Sequence, residues 1–177
     1  MIRDALLCFS GVPTSTAPDP SVAVPTSGIT TVMPQTIDTS PLGLPTGSGG
    51  GSSSLPNVGR DLGVGGEMWI NVLCATALTG ATATLNIELV TDSTQTISTL
   101  NVLMASGVFS NAQSLAFTTS GANSIVWRAQ LPASLNYKQF IGLAMVVTTG
   151  FAGGALFAEL IENIQQSDIY GSGFAIQ

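Results

Sequence analysis

The chain has 177 residues, a length that fits one domain with a real core. Only 8% of them are charged, against about 25% in an ordinary domain, and four basic and ten acidic residues leave a net charge of −6. Arg3, Arg60, Arg128 and Lys138 are too few and too scattered for the basic face that nucleic acid requires, and no apolar run approaches the roughly 20 residues of a membrane-spanning helix.

The opening MIRDALLCFSGVP holds an apolar patch, but Asp4 interrupts it and it is too brief for a secretory leader. Residues 1–28 carry Pro13, Pro18, Pro20 and Pro25 among Ser and Thr. Proline joins neither a helix interior nor a central strand, so this segment is expected to be an extended N-terminal arm. GITTVMPQTID, 28–38, is expected to be the first strand because of its β-branched Ile29, Thr30, Thr31 and Val32. Residues 39–59, TSPLGLPTGSGGGSSSLPNVG, have the composition of a long loop or insertion.

The rest reads as strands. EMWINVLC, 67–74, is nearly continuous apolar sequence, suited to burial on both faces or at an interface. TATLNIELV, 82–90, alternates cleanly, with Ala83, Leu85, Ile87 and Leu89 on one face. Over 97–104, Leu100, Val102 and Met104 are expected to share a face, and a short strand is expected around Leu115 and Phe117. In 124–131, Ile125, Trp127, Ala129 and Leu131 alternate with Ser124, Val126, Arg128 and Gln130. FIGLAMVVT, 140–148, is apolar throughout. ALFAELIENI, 155–164, fits a strand or a helix by composition, and its β-rich surroundings favour a strand. Turn signals every 10 to 18 residues or so point to a sandwich or barrel. The expectation is a single all-β domain over 1–177, a jelly-roll-like antiparallel β-sandwich with an extended arm and a long Gly/Ser/Pro-rich loop.

Chemistry-bearing constellations are sparse. The chain has no histidine, hence no Ser-His or Cys-His nucleophile arrangement. Glu159 and Glu162, three apart, fall on opposite faces of a strand and so make no carboxylate dyad. Asp4, Asp19 and Asp38 are too isolated to suggest a metal site. GVGGE, 63–67, lacks the lysine and following helix of a phosphate cradle, and reads as a tight turn into a strand. Cys8 and Cys74 are expected to be small buried hydrophobes. No enzyme activity, cofactor or metal is therefore expected. Trp69 and Trp127 would suit a sugar-stacking platform if exposed and coplanar, but their apolar strand patterns favour core packing.

A folded monomer of this length exposes roughly 8,000 Å², or one charge per roughly 600 Å². Isolated domains usually keep a denser, mixed-sign charge layer. Ser, Thr, Asn, Gln and Gly supply the polarity here, and they cost less to dehydrate than ions do. Such a surface is expected to be covered by protein partners. Arg60–Asp61, charged in a charge-poor stretch, is a candidate contact, because arginine makes strong bidentate bonds.

Three segments carry a family resemblance: GRDLGVGGEMWINVL, ATATLNIELVTDS and FIGLAMVVTTGFAGGALFAELIENIQ. In that order they resemble the jelly-roll capsid cement (decoration) proteins of tailed bacteriophages, over about residues 58–92 and 138–166. The middle of the chain is less similar, and 39–57 looks like an insertion. The resemblance implies a homo-oligomeric virion protein, dimer or trimer, on the outside of an icosahedral shell assembled in the host cytoplasm. Its partner would be the major capsid protein, between whose subunits it binds; nucleic acid and membrane would not be partners. Arg3, Pro13, Pro18 and Pro20 in the arm, and Arg60, Asp61, Leu62 and Gly63 in the turn, are the interface candidates on this reading. A carbohydrate-binding or adhesion module, and a phage tail or head-completion component, are the alternatives.

Overall fold

The computed structural model describes residues 7–14, 16, 20–39, 68–80, 82–109, 124–131 and 137–162. Along these residues run nine strands: β1 (Val22–Ala23), β2 (Thr30–Val32), β3 (Ile37–Asp38), β4 (Met68–Thr79), β5 (Leu85–Asp92), β6 (Asn101–Phe109), β7 (Ser124–Gln130), β8 (Phe140–Val147) and β9 (Gly153–Glu162). They form two sheets, ordered β1-β9-β4-β7 and β2-β8-β5-β6, with β3 also pairing β8. Every pairing is antiparallel.

One hydrophobic cluster joins the two sheets into a sandwich. Ile70, Val72, Cys74, Leu156, Ala158 and Leu160 come from one sheet, and Leu85, Ile87, Leu89, Ile141, Leu143 and Met145 from the other. Their spacing is the strand period of two, so a single alternation decides which side chains meet. Each fully buried Leu, Ile or Val contributes about 1.5–3 kcal/mol. The β5 pattern agrees with the alternation read in 82–90: Leu85, Ile87 and Leu89 are buried, while Asn86 and Glu88 are half-exposed on the other face. On β8 two of the outward residues, Gly142 and Ala144, are small, which lets Ile97 fold back over them beside Val32 and Val90. The segment at 155–164 is a strand, β9, over Gly153–Glu162.

Three expectations need correction. The strand read over 28–38 is interrupted. Met33 still donates to the Leu143 carbonyl at 2.8 Å, but the chain leaves β8 at Pro34, which has no N–H to give, and returns as β3. The described part of the presumed arm is docked rather than extended. Phe9 is fully buried in the core, Cys8 bridges to Glu159, Ser10 Oγ accepts from the Ala158 amide at 3.1 Å, and Val22–Ala23 pair with β9 as β1. Finally, Leu100, Val102 and Met104 do not share a buried face. β6 carries two register shifts against β5, so Leu103 and Met104 pack against the core while Leu100 and Val102 stand exposed. At the second shift Ser106 Oγ accepts the Ile87 amide at 2.9 Å, and Gly107 adopts φ +83°, the left-handed region that favours glycine in a bulge. A similar shift in β4 against β7 turns Ile125 out of the core. The strand expected around Leu115 and Phe117, and the loop 40–59, lie outside the described residues.

The end of β5 is fastened by two adjacent side chains. Thr91 Oγ1 donates to the Phe140 carbonyl (2.8 Å) and accepts from the Lys138 amide (2.9 Å). Asp92 closes the following loop: Oδ1 accepts the Ser93 amide at 2.7 Å, and Oδ2 accepts those of Ser98 and Thr99 at 3.2 and 3.3 Å. These bonds, the Thr99 amide foremost, hold the Asp92 carboxyl below its ordinary 3.8 against the opposing pull of burial, with Lys138 assisting. A carboxyl depressed on folding contributes stability that is present above its unfolded value and lost as pH falls through the folded one. Amide exchange at Ser98 and Thr99 is therefore expected to quicken as pH drops below 3.8, relative to core amides, and to be fast at neutral pH in Asp92→Asn. Equal protection in both proteins across that range would refute the clasp.

Candidate protein-binding face

The side of the β1-β9-β4-β7 sheet turned away from the core is the part of the fold least like an ordinary surface. Because Met68, Ile70, Val72 and Cys74 point inward, Trp69, Asn71 and Leu73 point outward. By the same parity β9 presents Phe157, Glu159 and Ile161, opposite Leu73, Asn71 and Trp69 in register. From β7 come Gln130, Arg128 and, past its bulge, Ile125.

A polar row crosses the middle of this face. Arg128, Asn71 and Glu159 are register partners on β7, β4 and β9, and Cys8 adjoins Glu159 as the next position. Arg128 Nε donates to Asn71 Oδ1 at 3.1 Å, and Asn71 Nδ2 donates to Glu159 Oε1 at 3.3 Å. The Asn71 amide thus relays between a guanidinium and a carboxylate, using its acceptor for one and its donor for the other. Asn71 is 4% and Glu159 6% exposed, so on a sheet face that a lone sandwich would give to water, both are dry. Charged groups at such burial require partners, and the row supplies them. Phe157 and Cys8 beside it are buried too, outside the core clusters. Around the row stand Trp69, Leu73 and Ile161, half-buried, and Ile125, exposed.

The composition is that of an interface centre: Trp, Arg and aliphatic side chains, with few free charges. The sequence signal for it was present, because Asn71 and Glu159 are each the lone interior polar residue of an apolar run, WINVL and LFAELI. Reading each strand alone hides that the two are neighbours; only the register joins them.

The interface candidates named from sequence are placed as follows. Pro13 is half-buried, and so is Pro20, which packs against Gly11. Arg3, Pro18, Arg60, Asp61, Leu62 and Gly63 lie outside the described residues. Trp127 and Trp69 sit on opposite sides of one sheet, Trp127 in the core and Trp69 facing outward, so the two do not form one stacking platform. Cys8 and Cys74 are buried, are not disulfide-bonded, and also sit on opposite sides. Burial pushes the Tyr137 phenol up to about 12, which keeps it protonated at neutral pH. Among the described residues, no group of three or more His, Cys, Asp or Glu is placed to hold a metal ion, and no helix is long and apolar enough to cross a membrane.

No protein-family model matches the chain, and no curated protein matches it.

Proposed function

We propose that this protein is a jelly-roll capsid cement protein, which binds without catalysis to the outer surface of an icosahedral phage shell between major capsid subunits. The jelly-roll reading is supported by the strand order. Counting β2 and β3 as one interrupted strand gives eight, in two sheets of four. Every connection then passes from one sheet to the other except β5–β6, which stays within one sheet. Eight strands so wound fit a jelly roll, a fold used by viral capsid and lectin domains alike.

Fold alone does not fix function, so the surface has to carry the reading. The single observation that does so is the outward face of the β1-β9-β4-β7 sheet. Its two described charges are joined through Asn71, Glu159 buried and Arg128 half-buried, and the side chains around them are mainly aromatic and aliphatic, with Gln130 on β7. A cement must bury large areas on several neighbours, and repetition over a shell adds avidity to modest contacts. A charge-poor face is cheap to dehydrate for that purpose. The sugar-platform alternative lacks the shared tryptophan surface it would need.

The reading predicts that the protein co-purifies with an icosahedral particle at hundreds of copies; a handful would indicate a tail or head-completion component instead. Attachment driven by apolar burial should survive a rise from roughly 0.1 to 1 M NaCl, over which the Debye length falls from about 10 to 3 Å. Trp69→Ala should lower shell occupancy at least about tenfold in co-sedimentation, the effect of losing a central anchor. Salt-induced release, or no association with any particle, would overturn the proposal.

A further inference from the structure

We infer that the outer edge of β7 takes up an extended segment of a capsid subunit as an added strand, which continues the β1-β9-β4-β7 sheet. β7 stands last in that sheet: it pairs with β4, and no described strand lies on its other side. Leu131 N donates to Met68 O at 2.8 Å, which fixes the phase of the ladder. In an antiparallel pair the main chain turns to its partner at every second residue. Trp127, Ala129 and Leu131 therefore turn theirs to β4, and Arg128 and Gln130 turn theirs to the outer edge. The shift in register at Val126 ends this regular stretch. Natural edge strands are guarded by charge, proline or brevity. β7 has seven residues and no proline, and its one charge, Arg128, leans onto the outward face, where Nε meets Asn71.

The rows of the outward face select the occupant. Three of them cross from β9 through β4 to β7: Ile161–Trp69–Gln130, Glu159–Asn71–Arg128 and Phe157–Leu73–Ile125. All three end at the edge, so an added strand supplies the fourth member of each. Beside Arg128 that member is a hydrogen-bond acceptor, because a guanidinium has five donors and no acceptor. Beside Ile125, which is 44% exposed, it is an apolar side chain. The added strand thus joins, without a break, the face already assigned to the capsid. Its main chain supplies affinity, and its alternate side chains supply the fit.

Because this strand addition rests on the shell-binding reading, its test separates the two. Hydrogen exchange of the full chain, read residue by residue by mass spectrometry, should find the Gln130 amide fast in the isolated protein and protected on the particle it co-purifies with. Gln130→Pro removes the side chain and the amide hydrogen, whereas Gln130→Ala removes the side chain alone. The proline variant should bind the particle about tenfold more weakly than the alanine variant, the effect of leaving a partner carbonyl unpaired. Proline is tolerated on an edge strand where its missing N–H faces outward, so the unfolding midpoint should be little changed. Protection already present in the isolated chain would mean that the chain closes its own edge, and would overturn the inference. Binding with Gln130 unprotected and the two variants alike would overturn it and leave shell binding intact. No association with any particle would overturn both.

Discussion

Phe9→Ala is expected to cost the sandwich about 3–5 kcal/mol, the range for deleting a buried aromatic ring. Phe9 is fully buried, and its backbone ties it to both sheets. Its amide donates to the Ala158 carbonyl of β9 at 2.8 Å, and its carbonyl accepts from the Gln35 amide, between β2 and β3, at 3.0 Å. The backbone beneath the ring is thus fixed from two sides. In urea unfolding the midpoint should fall with the slope unchanged, and in heating the midpoint should drop by roughly 6–20 °C. Removing residues 1–25 takes away Phe9, β1 and the buried Val24 together, so this truncation should not fold at all. An arm that served only as a clamp would give the opposite result, full stability in the truncation.

Gly150→Ala is expected to cost about 3 kcal/mol, the upper end of the overpacking range. Segments 25–29 and 147–151 run backbone to backbone, with Val147 N donating to Ile29 O and Phe151 N to Pro25 O, each at 3.0 Å. A Cβ at Gly150 would enter the Thr26 carbonyl, and one at Gly28 the Thr148 carbonyl. These obstacles are main chain, so no rotamer change relieves them. Gly107→Ala is the control: there is open space around it, and only its φ of +83° resists substitution, at about 1–2 kcal/mol. If chemical denaturation ranks the two variants in reverse, close packing is not what fixes residue 150.

These two residues mark where sequence reasoning reaches and where it stops. Gly150 reads as a turn because of its type. That it touches Thr26 depends on a pairing between segments more than a hundred positions apart. Strand existence was legible wherever alternation or a long apolar run was strong, as in 82–90, 140–148 and 155–164. Phe9 was hidden by its setting: a lone aromatic near four prolines has no periodic neighbours to announce its burial. β1, two residues between Pro20 and Pro25, is too short for any pattern. The side assigned to Leu100 and Val102 failed because each bulge inserts residues that reverse parity, and nothing local in NVLMASGVF marks where the insertions fall. The Arg128–Asn71–Glu159 row failed differently, since every member was visible but their adjacency belongs to sheet order.

The bonds from Phe9 and Ser10 to Ala158 have one more consequence, for synthesis. A sheet stitched between positions 9 and 158 stays open on the ribosome until the later strand has cleared the exit tunnel. Most of the polypeptide is by then exposed, with long-range pairings still to form, so folding should be slow. Faces that would otherwise seize a neighbour too early take shape only once β9 is in place.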